Sequence, residues 1–428
     1  MPSFRVFLAL FLASWVFLAH ADVGRSSRTD GPAADELGQG QGYPSCRRNL
    51  VEPSCRVGAW SGGDTFRPRG DQILPSSNPL ILPDAEAAPM IRWKWGGQTL
   101  TVEDYLNQVQ VTGLLVLHKG KIVQEHYQYN RQPDMPMRSF SMAKTFTAML
   151  VGIAHSKGHI QSLDDKVSTY WPEISQSAYG QTTIRNLLRM SSGVEFRELY
   201  TWTPDDDIFV WGQLLNHPRN AGKVADIYSY LNKKTSRNQE QGQKFHYASI
   251  ETDILGRVLL KATGKTATEL TQEWIWQPMG AEHQAHWVLS ANDKVEGFAG
   301  GFNATLRDYG RFGVLLSSNG RRDEVEVIPE GYLLDATDAN RQPSAFRPKV
   351  ATPYFGYGYQ TWLFPFATRT FALQGIHGQT IFVQPSSQIV MVQTAVYNKA
   401  SGRQDPTPYR MRHAFFNGVL RSLGGAVD

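Results

Sequence analysis

The chain has 428 residues, of which 41% are hydrophobic and 19% charged, with a net charge of +4. Such a composition can bury a sizeable core and excludes disorder in bulk. Basic residues are spread along the chain, apart from Arg47-Arg48 and Arg67/Arg69, and give nucleic-acid binding no support.

The N-terminus reads as a secretory leader over residues 1–21. Arg5 supplies a positive start, Val6 to Leu18 an apolar run, and Ala19-His20-Ala21 a small-x-small cleavage site. The apolar run is too short to span a bilayer comfortably, and no later stretch is long and apolar enough to do so. The mature chain is therefore expected to be exported without stable membrane insertion. The only cysteines, Cys46 and Cys55, fit an oxidising compartment. A bond between them would close a short loop and contribute roughly 2–3 kcal/mol on the chain-entropy estimate. Residues 22 to about 45 are polar and Gly-rich and read as a flexible linker. The stretch to about Glu86 reads as an irregular extension laid over the main domain. No Cys/His cluster has metal-ligand spacing, so no metal or cofactor is expected.

From residue 87 a single domain is predicted. Thr112 to His118 and Lys121 to Tyr127 are apolar-rich runs joined by Lys119-Gly120, a hairpin signal. Ser141 to Lys157 places Met142, Phe146, Met149, Leu150, Ile153 and Ala154 at helical spacing, and Gly158 ends the helix. Helical patterns continue at Thr183 to Leu188, Ile250 to Ala262, Thr266 to Trp276 and Leu306 to Ser317. Strand patterns return at Gly356 to Leu363, Arg369 to Ile376, Gln379 to Gln384 and Gln388 to Tyr397, and Pro408 to Leu423 closes the chain as a helix. Strands at both ends with helices between predict an α/β (α+β) fold. One antiparallel sheet is assembled from both chain ends, flanked by helices, with an inserted helical lobe over about 140–320.

Chemistry concentrates at three places. Ser141 and Lys144 stand one helical turn apart on a common face, so the amine can reach the hydroxyl. Serine needs a neighbouring base, and lysine becomes one when burial brings its pKa toward neutrality. Chance alone supplies roughly one such pair in a chain of this composition, so the context decides. Tyr247, just before the apolar helix of Ile254, Leu255, Val258 and Leu259, is a phenol suited to shuttling a proton. Tyr230-Leu231-Asn232 and Tyr105-Leu106-Asn107 spell a Tyr-x-Asn motif more literally, but lack that context. The third place is Gly375-Ile376-His377-Gly378-Gln379-Thr380 on a late strand, where glycine lets a substrate backbone approach and an N–H could join that of Ser141 in an oxyanion hole.

With these motifs the chain resembles the serine β-lactamase-related superfamily, on the class C, DD-peptidase and esterase side. Four further stretches carry the likeness, in the family's order: Gln161 to Val167, Thr182 to Leu188, Met190-Ser191-Ser192-Gly193 and Gly300 to Asp308. Ser-Met-Ala-Lys, Tyr247-Ala248-Ser249 followed by Glu251-Thr252-Asp253, and Gly-Ile-His-Gly-Gln are most similar to 6-aminohexanoate-dimer hydrolases. The resemblance implies a β-lactamase/DD-peptidase-like fold and an exported serine hydrolase acting on a small amide or ester. Ser141 would be the nucleophile, Lys144 its base and Tyr247 the proton relay. Tyr200 would hold the scissile amide, and Ser249, His377, Gly378 and Gln379 would line the substrate cleft. The family's Lys-Thr-Gly triplet is absent, with Ile376-His377-Gly378 in its place, which moves the expected substrate away from β-lactams and peptidoglycan peptides. Carboxylesterase, β-lactamase or DD-carboxypeptidase activity on the same fold are the alternatives, and a non-catalytic binding relative the last of them.

Overall fold

The computed structural model describes residues 23–46, 52–62, 68–217 and 224–428; the leader-like segment lies outside them. Its centre is an eight-stranded sheet made of β1 (Gly24–Ser27), β2 (Val111–His118), β3 (Lys121–Tyr127), β4 (Gly356–Tyr357), β5 (Trp362–Leu363), β6 (Phe371–Gln374), β7 (Thr380–Gln384) and β8 (Ile389–Ala395). The strand order is β1-β3-β2-β8-β7-β6-β5-β4. The two chain halves meet where β8 pairs antiparallel with β2, Val392 opposite Leu115 and Val390 opposite Leu117. The sheet is thus assembled from both chain ends, as expected. Lys119 and Gly120 both take positive φ (52° and 73°), the conformation that a two-residue turn needs to follow the strands' twist.

Helices cover both faces of the sheet, and the strands' two-residue period sorts their side chains accordingly. Leu115, Leu117, Ile381, Val383, Val390 and Val392 join the core of the helical lobe. Their neighbours Leu114, Val116, Phe382, Ile389 and Met391 pack with Phe415, Phe416 and Val419 of the closing helix (Pro406–Ser422). The lobe is organised on α1 (Ala143–Ser156), which is buried on every side from Ala143 to Ala154 and packs against α2 (Ser249–Thr263) and α3 (Leu306–Ser317). Phe146 of α1 stacks on Phe312 of α3 with ring centroids 3.8 Å apart. Truncating such a side chain to alanine costs ~3–5 kcal/mol, so α1 is firmly anchored.

Two segments differ from expectation. The stretch of 22 to about 45, read as a flexible linker, belongs from residue 23 on to the packed structure: β1 pairs parallel with β3, and Arg25 bridges Asp84 and Glu125. Leu37, Tyr43, Val57, Ala59 and Trp60 then form a small core with Tyr129 and Val396, closed by the Cys46–Cys55 disulfide. The expected strand over 356–363 is instead two short strands around a turn, because the Gln360 side chain is drawn inward. Its amide donates to the Leu187 and Leu188 carbonyls and accepts from Thr252 Oγ1. Among the described residues no helix is long and apolar enough to cross a membrane, and no cluster of three or more His, Cys, Asp or Glu is placed to hold a metal ion.

Candidate active site

Ser141 sits in a short 3-10 turn (Phe140–Met142) that feeds directly into α1. The turn is fastened from outside: Ser139 N–H donates to Phe302 O at 2.9 Å, and Met137–Arg138 pairs with Asn303–Ala304. Phe140 has a φ of 44°, a left-handed conformation that a bulky residue adopts only when its surroundings impose it. Those surroundings are visible. The Phe140 ring meets Trp60 edge-on at 4.9 Å, and the end of β6 presses against the turn from the other side. A Cβ at Gly375 would lie 2.6 Å from Ser139 O and 3.1 Å from Phe140 Cβ, so only glycine fits there.

One turn later, Lys144 is 2% exposed. Its Nζ lies 3.0 Å from Ser141 Oγ and donates to Ala299 O at 2.7 Å. Burial pulls the amine down from 10.5 to about 8, against the opposing pull of the Glu198 and Asp253 carboxylates. At neutral pH a usable fraction of Lys144 is therefore the free base. Tyr247 completes the group: its phenol is influenced by the Ser141 side chain, and Lys144 Nζ lies 5.3 Å from its ring centroid. Burial first, and then Glu198, push the phenol well above its ordinary 10, so Tyr247 holds its proton at physiological pH. The ring stacks on Trp362 (centroids 5.6 Å apart, planes 24° apart). The preceding loop is fixed by His246 N–H to Met190 O at 2.8 Å, which assigns Met190-Ser191-Ser192-Gly193 a scaffolding place. Of the competing tyrosines, Tyr105 is in the core of the opposite sheet face with its hydroxyl on Gln393, and Tyr230 packs on Trp211.

The other sequence candidates are distributed differently. Tyr200 is near the centre, its hydroxyl donating to Glu198 Oε1 at 2.5 Å. Ser249 is only 4% exposed and gives its N–H and its hydroxyl to Glu198 at 2.7 and 2.8 Å, so it holds that carboxylate rather than lining the cleft. His377, expected in the cleft, is 5% exposed beneath Trp60, 4.6 Å between ring centroids, and its Nδ1 bonds Tyr397 O at 2.7 Å. Burial lowers its pKa to about 4, so the ring is neutral. Ile376–Gly378 forms a turn between β6 and β7 instead of continuing a strand, with His377 at φ 60° and Gly378 at φ 97°. Gly378 O accepts from Gln393, and the Gln379 side chain clamps both backbone groups of Ala395. These residues place β7 and the nucleophile's turn relative to one another.

Three contributors escape sequence reasoning. Asp253 sits behind Lys144, accepting from Trp211 Nε1 at 2.7 Å and from Ala299 N–H at 3.0 Å, so the residue whose carbonyl receives Lys144 is itself held by a carboxylate. Glu198 joins Tyr200, Ser249 and the charge field of Lys144. Asp206, fully buried, gathers the Leu199, Thr201 and Trp202 amides and shapes the loop that carries Tyr200. Asp253 lies within a stretch that carries the family likeness, yet no local spacing marks it or Glu198 as facing Lys144.

The chain is similar to several known proteins. A relative from Paenarthrobacter ureafaciens, named 6-aminohexanoate-dimer hydrolase, is 25% identical over 352 residues, 81% of this chain and 86% of that protein. A beta-lactamase of Escherichia coli (strain K12) is 22% identical over 211 residues, 47% of this chain and 50% of that one. Among solved structures, a putative 6-aminohexanoate-dimer hydrolase from Bacillus anthracis superposes with a TM-score of 0.77 at 21% identity, covering 88% of this chain and 97% of that one. A D-stereospecific amidohydrolase from Streptomyces gives 0.52 at 17% identity, covering 72% and 94%. The sequence profile of the beta-lactamase family matches residues 101–414. The chain belongs to the beta-lactamase family and is a hydrolase that resembles 6-aminohexanoate-dimer hydrolases.

Proposed function

We propose that this protein hydrolyses amide or ester bonds of small molecules through an acyl-enzyme on Ser141. The observation that carries the reading is a buried lysine 3.0 Å from a helix-terminal serine, with its pKa brought to about 8. In the first step the Ser141 hydroxyl passes its proton to neutral Lys144 as Oγ bonds to the substrate carbonyl carbon. The oxyanion is received by the Ser141 N–H and a backbone N–H near Gln379, and the positive end of α1 adds favourable field. As the tetrahedral species collapses, the carbon–nitrogen or carbon–oxygen bond breaks and the Tyr247 phenol protonates the leaving group. Lys144 then returns its proton to Tyr247. Water attacks the ester on Ser141 with the same pair as base, releasing the acid and restoring the serine.

Amides and simple esters rank ahead of β-lactams in this reading, because Ile376-His377-Gly378 supplies no cation where the family's Lys-Thr-Gly would. The leader-like N-terminus and the Cys46–Cys55 disulfide support export. A panel of a p-nitrophenyl ester, a linear aminohexanoate dimer, a chromogenic cephalosporin and a D-Ala-D-Ala peptide tests the ordering. Turnover of the ester or the dimer that Ser141→Ala abolishes is expected, and turnover of the cephalosporin alone would overturn it.

A further inference from the structure

Resting on the acyl-transfer reading, we infer that Trp60 is a positioning residue for the reaction: through Phe140 it aims the Ser141 N–H at the oxyanion. Trp60 precedes residues 101–414, the span that the family profile matches, so this support comes from the N-terminal extension.

The link is short. The Ser141 N–H belongs to the planar peptide that follows Phe140, so the Phe140 dihedrals set where it points. Phe140 stands at φ 44°, and a bulky residue left to itself relaxes to negative φ. That relaxation turns the peptide and swings the N–H off its target. Ser139 Oγ donates to Phe140 O at 3.0 Å, which steadies the far side of the same peptide but does not hold the ring. The ring is held by its neighbours. Its centroid lies 4.9 Å from that of Trp60, 5.9 Å from that of His377 and 5.0 Å from the Arg138 guanidinium carbon. His377 in turn lies 4.6 Å from Trp60, so the indole meets both other rings and closes the set.

Trp60 is itself firmly placed. It is buried, its N–H donates to Arg56 O, and its carbonyl accepts from Arg138 N–H, each at 2.9 Å. The second of these bonds ties the extension to the strand that leads into the nucleophile's turn. The helix before it, Pro53–Ala59, is buried from Cys55 onward. It lies so close to the Tyr43 backbone that a Cβ on Gly58 would come within 2.3 Å of Tyr43 O. An indole locked by packing is a fixed wall for Phe140. Lys144 is fixed by other means, the packing of α1 and the Ala299 carbonyl.

Two comparisons on active-site-titrated protein test the inference. In the first, Trp60→Ala is assayed on p-nitrophenyl acetate and on its thionoacetate, in which sulfur replaces the carbonyl oxygen. Sulfur is the weaker acceptor, so a well-aimed N–H favours the oxygen ester and a misaimed one does not. Because the donor is turned rather than removed, kcat/KM on the oxygen ester should fall about tenfold to a hundredfold. The oxygen-to-sulfur ratio should shrink with it, a change that loss of folded protein cannot produce. Trp60→Phe, which keeps a ring against Phe140, should recover most of the rate. The second comparison places Trp60→Ala in a Phe140→Gly background. Glycine takes positive φ without support, so there the same substitution should cost less than about twofold. Trp60→Leu, which keeps more of the buried volume, carries both comparisons if Trp60→Ala does not fold. Full activity in Trp60→Ala would overturn the inference. So would a loss shared equally by ester and thionoester and equally large in Phe140→Gly. If the wild-type protein takes no fluorophosphonate label and turns over neither ester, the acyl-transfer reading has failed and this inference falls with it.

Discussion

Lys144 gives the most discriminating pH experiment. With its amine at about 8, the fraction in the free-base form rises about tenfold between pH 7 and pH 9. If Lys144 takes the Ser141 proton, kcat/KM on a neutral ester rises by that factor through a limb centred near 8. Tyr247 is pushed above 10, so no descending limb falls below about pH 10. Asp253→Asn sharpens the test. Asp253 raises the lysine's pKa, so removing its charge moves the limb to lower pH. The same substitution leaves either the Trp211 Nε1 or the Ala299 N–H without its acceptor, at a cost of ~1–3 kcal/mol, which lowers stability and the plateau. A merely structural role would change the plateau alone; the midpoint reports the charge. A stopped-flow pH series from 6 to 10 on both proteins reads these quantities. A flat wild-type profile, or a limb that stays in place or moves upward in Asp253→Asn, would refute the assignment of Lys144 as base.

Two further predictions concern how the site is held. Burying Lys144 lowers its pKa from 10.5 to about 8, so the unfolded chain binds more protons between those values and stability rises with pH across that window. Below about pH 8 the folded state carries the whole penalty, on the order of 3 kcal/mol. Lys144→Met should therefore raise the melting temperature by a few degrees at pH 7 while abolishing turnover, the gain being reduced because Ala299 O loses its donor; calorimetry showing destabilisation would contradict the burial argument. Gly375→Ala drives a methyl into Ser139 O and Phe140 Cβ. It should cost ~1–3 kcal/mol by overpacking and lower kcat more than it raises KM, as steady-state kinetics and denaturant melts would read.

Local signals carried much of the fold and the centre of the site. The Lys119-Gly120 turn, the apolar face of α1 and the one-turn spacing of Ser141 and Lys144 are properties of neighbouring residues, which periodicity displays. What escaped depends on residues far apart in the chain. Lys144 meets Ala299 across 155 positions, and Glu198 meets the start of α2 across 51. The Gly24–Ser27 tract is polar enough to pass for linker, and only its pairing with β3 and the Arg25–Glu125 bridge make it a strand. His377, between glycines, looked open to substrate. Trp60 from the N-terminal extension covers it, and no spacing within the motif could announce that cover.

The central claim is a covalent ester on Ser141, and intact-protein mass spectrometry after treatment with a fluorophosphonate tests it directly. A single adduct that peptide mapping places on Ser141, formed faster at pH 9 than at pH 7 and absent from Ser141→Ala, is the predicted result. An unlabelled protein, or an adduct that persists in Ser141→Ala, would contradict it.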